Sequence, residues 1–250
     1  MDIVVLAGGK TSDALRDRTS VERRADLEIH GKRILDRVCE ALREGVGEEL
    51  SSFVVVGSEA PQAISVPAGD SFLTSLQNGV EACQSNLLLV SACDLAFLEA
   101  ESVSTFLTLC DRGCDLNYPI VPLEACRKAF PNMKRTSLKV REGRFTGGNL
   151  FLLQRSALPS LMPRLEAAYQ SRKSPAALAR IVGVGTLLRV LLGQLVPWTL
   201  PIPYLERQVG RVLGLSVHAV PVHSADIGAD VDNLEQYEQA LLAASPGDPV

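Results

Sequence analysis

The stretch Asp2-Ile3-Val4-Val5-Leu6-Ala7-Gly8-Gly9 reads as a short β-strand of branched apolar residues that stops at two glycines. A turn without side-chain bulk leaves backbone N–H groups open to phosphate oxygens. It is also ordinary punctuation at a strand end. Two familiar phosphate motifs do not fit here. Gly9-Lys10-Thr11 resembles the end of a P-loop, but that motif needs a glycine five positions earlier, where Val4 stands inside the strand. A dinucleotide fingerprint fails as well, since no third glycine follows and no helix starts at once.

Outward from this strand the chain alternates. Polar sequence runs to about Ile29, and Gly31 precedes a helix whose apolar face is Ile34, Leu35, Val38 and Leu42. Phe53 to Val56 is a continuous apolar strand ending at Gly57, and a helix is expected over Phe72 to Cys83. Leu87 to Val90 forms a third strand with Asp94 just beyond its carboxyl end. A helix from about Ala100 to Leu109 leads to a strand near Leu116 to Val121. Strands and helices alternating through short connections predict an α/β fold, a mostly parallel central sheet with helices on both faces. Right-handed crossovers place the strand carboxyl ends along one rim, where such sheets bind ligands.

After Pro122 the alternation is expected to stop. Residues 127–144 carry seven basic side chains (Arg127, Lys128, Lys134, Arg135, Lys139, Arg141, Arg144) against the single acid Glu142, a concentrated positive stripe. Thr146-Gly147-Gly148-Asn149 then leads into an apolar strand, Leu150 to Leu153. Residues from about Ser156 to Gly214 look helical, Val217 to Val222 returns as a strand, and a last helix begins near Asn233. The reading is one domain over 1–250, with 155–214 as a helical insertion within it. Ala176 to Leu200 is strongly apolar, but Arg180, Arg189 and Pro197 interrupt it. A membrane-spanning helix needs about 20 apolar residues with few charges, so this segment reads as a buried or amphipathic helix pair.

With 46% hydrophobic and 22% charged residues among 250, the chain has the composition of a globular protein with a sizeable core. The net charge of −4 argues against non-specific nucleic-acid binding, which needs a basic face, so any phosphate site is local. Cys39, Cys83, Cys93, Cys110, Cys114 and Cys126 form no CxxC pair, which argues against a zinc site or a disulfide framework. Nothing at the start reads as a signal peptide, and the cytoplasm is the expected compartment.

Two acidic positions suggest chemistry. Asp94 follows an apolar strand at the ligand-binding rim, where an aspartate can hold Mg²⁺ (or Mn²⁺), which takes oxygen ligands and keeps waters and substrate phosphates. A helix cap or a solvated loop acid is the plainer reading of Asp94. Asp226, Asp230 and Asp232 crowd together just before the last helix. There, Asp232 with Glu235 or Asn233 with Gln236 would form an ordinary capping pair.

Taken in order, these motifs resemble the nucleotidyltransferase superfamily that includes molybdenum-cofactor guanylyltransferases and sugar-1-phosphate nucleotidyltransferases, with a glycosyltransferase A-type fold. The residues that carry the resemblance are Leu6-Ala7-Gly8-Gly9, Gly31-Lys32 before Ile34-Leu35-Asp36-Arg37-Val38, Ala92-Cys93-Asp94, and Asp230-Val231-Asp232-Asn233. Arg135-Thr136 and Thr146-Gly147-Gly148-Asn149 resemble an uncharacterised branch of that group. The likeness implies that Leu6, Ala7, Gly8 and Gly9 wrap a nucleoside triphosphate and that Ser71 and Asn78 lie near its base. It also implies that Asp94 and Asp232, with Asp230 nearby, hold the metal, and that Arg135, Thr146, Gly147, Gly148 and Asn149 face a small phosphorylated acceptor. Relatives carry a lysine after the glycine loop that neutralises the phosphates. Here Val21-Glu22-Arg23-Arg24-Ala25 puts Arg24 in that place, keeping the charge with a different length and plane.

Two other readings stay open. A glycosyltransferase would use a nucleotide-sugar donor on a similar fold, but its Asp-x-Asp belongs at the end of a central strand. Here the Asp-x-Asp is Asp230-Val231-Asp232, far toward the C-terminus. A nucleotide-binding protein that kept the pocket and lost the lysine is the other.

Overall fold

The computed structural model describes residues 1–133, 135–171 and 183–242. Strands β1 (Asp2–Leu6), β4 (Ser52–Val56), β5 (Ile64–Val66) and β6 (Leu87–Ala92) form a parallel set in the order β5-β4-β1-β6. Their registers pair Ile3 with Phe53 and with Leu89. Two small strands, β2 (Glu28–Ile29) and β3 (Lys32–Arg33), make a separate hairpin. His30 and Gly31 at its tip both take positive φ, the conformation of a type I′ turn.

Beyond β6 the main sheet continues through β10 (Leu150–Gln154), β7 (Leu116–Pro122), β9 (Gly143–Gly147) and β8 (Leu138–Val140), and β11 (Val217–Pro221) pairs with β7. β10 runs antiparallel to β6 and β7, and β9 antiparallel to β7 and β8, whereas β11 is parallel to β7. The central sheet is therefore mostly parallel, with β9 and β10 alone reversed.

Alternate residues of β1 enter two cores, as the period of two requires. Ile3 and Val5 pack with Leu35, Val38 and Leu42 of α2 (Ile34–Val46) and Val103 and Phe106 of α4 (Ala100–Leu109). Val4 packs on the other face with Leu76 and Val80 of α3 (Phe72–Glu81) and Leu158 and Leu161 of α6 (Leu158–Ser171).

Two helices differ from the sequence expectation. The polar run after Gly9 contains α1 (Asp13–Thr19), where the Ser12 side chain accepts from the Leu15 N–H and Leu15 is buried. The alternation also does not stop at Pro122, because α5 (Leu123–Ala129) starts there and buries Leu123 and Cys126. The basic residues are consequently no single stripe. Arg127 and Lys128 end α5, Lys139 lies on β8, Arg144 on β9, and Lys134 lies outside the described residues.

Of the apolar run 176–200, residues 176–182 lie outside the described residues. The rest is α7 (Val184–Leu195) followed by a short 3₁₀ turn, Pro197–Thr199. This described part is amphipathic but not buried, since Leu191 and Leu195 are 65% and 83% exposed. α8 (Ile202–Leu213) and α9 (Leu234–Leu242) complete the chain order. Among the described residues no helix is long and apolar enough to cross a membrane.

Candidate active site

After β1, the chain moves to β4 and β5 on one side and returns with β6 on the other, and ligands bind at the strand carboxyl ends where such a reversal occurs. A cavity of about 550 Å³ lies there. Its walls include Leu6, Gly8 and Gly9 after β1, Ser71 at the start of α3, Asp94 after β6, and Gly148 and Asn149 before β10.

Backbone hydrogen bonds knit the loops that form it. Arg24 N–H donates to Gly9 O (3.0 Å) and Thr11 N–H to Glu22 O (3.0 Å), which ties the glycine turn to the segment carrying Arg24. Gly57, at positive φ, lies so close to Gly8 that a Cβ on it would stand 2.6 Å from the Gly8 Cα. Only residues without Cβ allow this approach. On the opposite side, Val231 N–H donates to Asp94 O (3.0 Å), Asn149 N–H to Ile227 O (2.9 Å) and Ala92 N–H to Asn149 O (2.9 Å). The C-terminal acidic loop is thus stapled to the end of β6. Between Gly147↔Ile120 and Leu152↔Asn117 the register against β7 slips by two residues, so Gly148 and Asn149 leave the ladder at the cavity wall.

The charged groups form a chain. Arg24 Nη1 donates to Asp94 Oδ2 (2.7 Å) and also to Asp232 Oδ1. Arg135 Nη1 donates to Asp230 Oδ1 (2.7 Å), with the arginine side chain 8% exposed. Burial drives the Asp94 carboxyl above its ordinary range, the Arg24 charge opposing this and the Asp232 charge adding to it. Asp230 is pushed up to about 6, first by burial and then by the hydrogen bond and charge of Asp232, against the pull of Arg135. Asp232 is not the cap of α9. Asn233 Oδ1 accepts from Gln236 N–H (2.9 Å), and Gln236 Oε1 accepts from both Asp232 N–H (2.8 Å) and Asn233 N–H (3.2 Å). The capping box is Asn233 with Gln236, which leaves the Asp232 carboxylate to Arg24.

The other expected site residues are dispersed. Ser71 lines the cavity while its side chain caps α3 through Thr74 N–H (3.1 Å). Asn78 lies outside the wall and donates to Pro67 O (3.1 Å). Ala7 is buried beneath the glycine turn. Arg135 is held by Asp230, and Thr146 and Gly147 sit in the β9 ladder against Val121 and Ile120.

The sequence matches the MobA-like NTP transferase domain over residues 3–182. The chain belongs to that family. It is a nucleotidyltransferase, and a nucleoside triphosphate is its implied substrate. A hypothetical transferase from Thermus thermophilus is 34% identical, covering 94% of this chain and 98% of its own, with a TM-score of 0.84. A nucleotidyl transferase from Methanothermobacter is 14% identical over 95% of this chain and 94% of its own (TM-score 0.56). A CMP:2-keto-3-deoxy-manno-octonic acid synthetase solved with CTP is 13% identical over 96% and 98% (TM-score 0.58). These last two share the fold. No curated protein is a significant match.

Whether the transferase can hold a divalent ion is tested by its own donors. Asp94 Oδ1 is buried with no hydrogen-bond partner, and Asp232 approaches the same Arg24 nitrogen from the facing loop. Two carboxylates suit Mg²⁺ or Mn²⁺, which complete their shell with water and substrate phosphates. Among the described residues no group of three or more His, Cys, Asp or Glu side chains forms a metal cage. The residues fit an ion shared with a phosphate ligand. Reading the sequence alone missed Asp70, Phe72, Tyr118 and Phe151 in the cavity wall. Asp70 adjoins Ser71 and carried a local signal, whereas Tyr118 and Phe151 looked like ordinary strand residues.

Proposed function

We propose that the transferase moves a nucleoside monophosphate from a triphosphate to a small phosphorylated acceptor, a sugar phosphate or cofactor precursor, with release of pyrophosphate. The convergence of the Gly8-Gly9 turn, Arg24, Asp94 and Asn149 on one cavity, with Asp232 joined to it through Arg24, carries this reading. Chain 1–250 would act as one domain, with 155–214 as a helical insertion.

Asp94 and Asp232 would hold Mg²⁺ (or Mn²⁺), which when bound neutralises charge on the triphosphate. The glycine turn offers the triphosphate oxygens close approach to backbone. Arg24, released from its two carboxylates, faces the same phosphates and neutralises charge as the bond to the leaving group lengthens. An acceptor phosphate oxygen forms the new bond to the α-phosphorus, and pyrophosphate leaves with the electron pair of the broken P–O bond. The acceptor is already an anion at neutral pH, so no strong base is required. Asn149, lifted out of the ladder, orients the acceptor, and catalysis is positioning plus charge neutralisation. The lone Asp94 after β6 favours this over glycosyl transfer.

Pyrophosphate release measured with each triphosphate against a panel of phosphorylated acceptors tests the proposal. Asp94→Ala should retain the fold and lose metal-dependent release. Turnover near wild type in that variant would overturn the assignment.

A further inference from the structure

A second cavity, of about 470 Å³, lies on the same face of the sheet as the catalytic one. Leu116, Tyr118 and Ile120 of β7 point into it, at the alternate positions that share one face. Val217 and Ala219 of β11, Leu138, Val140 and Phe145 of the β8–β9 hairpin, and Leu205, Val209 and Leu213 of α8 enclose it. The one carboxylate in this wall, Glu206, accepts from Ala219 N–H (2.8 Å) and pairs with His218 Nδ1 (3.2 Å).

Tyr118 lines both cavities. A Cβ on Gly147 would stand 2.1 Å from the Tyr118 hydroxyl, so glycine there lets the ring lie over β9 as the partition between them. Gly147 faces the apolar cavity and Gly148 the catalytic one. The groove is open, since Tyr118 and Val209 in its wall are 38% and 42% exposed. Its volume is that of a small-molecule site.

We propose that this groove holds the body of the acceptor and that the acceptor is an amphiphile, a phosphate monoester of an aliphatic alcohol. Its phosphate reaches Asn149 over the open edge of the half-exposed Tyr118, and its hydrocarbon part lies between β7, β11 and α8. The inference rests on the transferase reading above for the position of the reacting phosphate, but the groove's preference for hydrocarbon stands on its own lining. The bonds made and broken are those of that reaction, and the product is a nucleoside diphosphate alkyl ester.

Direct titration of the full chain with n-alkyl phosphates from butyl to dodecyl, below their micelle concentrations and without nucleotide, tests the groove. Affinity should rise with length, by up to about fourfold per buried methylene, until the groove is full. Ala219→Leu, which fills the groove, should flatten that series, whereas Leu191→Gln on the exposed face of α7 should leave it intact. Circular dichroism and the melting shift produced by triphosphate report whether Ala219→Leu folds; Val209→Gln at the groove rim is the second variant, with the same expected flattening. A flat series in the wild type, or a gain removed by Leu191→Gln in place of the groove variants, would overturn the proposal. Pyrophosphate release with the same phosphates and with glycerol phosphate then separates the two readings. Chain-length-dependent binding without release refutes the transfer step and leaves the groove. Release that is equal for glycerol phosphate and alkyl phosphates refutes the amphiphilic acceptor and leaves the transferase.

Discussion

Replacing Asp232 by asparagine separates a charge partner from a helix cap. In the structure the cap of α9 is Asn233 with Gln236, and the Asp232 side chain turns to Arg24. The Asp232 carboxylate is 50% exposed, so its ion pair is screened and contributes at most about 1 kcal/mol. A lost asparagine cap costs about 1 kcal/mol, or roughly 2–4 °C in a chain of this size. Asp232→Asn and Asp232→Ala should therefore melt within about 1 °C of each other, whereas Asn233→Ala should fall by about 2–4 °C. Activity should respond differently. Removing one negative charge beside a dication costs on the order of 1–3 kcal/mol, offset in part because Arg24 competes for the same carboxylates. The Mg²⁺ concentration for half-maximal pyrophosphate release should rise about tenfold or more in Asp232→Asn. Unchanged Mg²⁺ dependence, or an alanine variant that melts like Asn233→Ala, would refute the reasoning.

Arg24→Ala should lower turnover by about 10²-fold or more, as for loss of one preorganised charge partner. Arg23→Ala should have a small effect, since Arg23 binds Asp26 (2.9 Å) and Gly57 O (3.0 Å) away from the carboxylates; equal effects in steady-state rates would show that Arg24 does not reach the phosphates. Asp2 accepts from Gln84 N–H (2.7 Å), Ser85 N–H (2.8 Å) and Ser85 Oγ (2.7 Å), and these bonds outweigh burial to hold its carboxyl below the ordinary range. Stability from a depressed carboxyl is present above its unfolded value and is lost as pH falls through the folded one. Asp2→Ala should thus cost about 2 kcal/mol at pH 7 and progressively less below pH ~4 in denaturant titrations, and a pH-independent difference would refute the linkage.

The sequence by itself determined three strands of the parallel set, β1, β4 and β6, and the rim they share, but not the short and largely exposed β5. Continuous apolar runs such as Val4–Leu6, Phe53–Val56 and Leu87–Val90 can be satisfied only by burial on both faces, and that need is local. The helix over Ala100–Leu109 was likewise legible, down to its ends. The short helices α1 and α5 were not, because each is seven residues long with few buried positions and carries too little periodic signal.

Tertiary structure decided what the polar residues do. A side chain's partner depends on loops distant in sequence, and no spacing rule encodes that Arg24 meets Asp94 and Asp232 across separations of 70 and 208 residues. The same is true of Arg135, which the family resemblance placed at the acceptor but whose partner is Asp230. It holds again for the choice between two capping pairs at α9, which the sequence left even and the structure gives to Asn233 with Gln236. Tyr118 makes the point for the apolar side: an unremarkable strand residue becomes the wall between two cavities only once β9, β11 and α8 close around it.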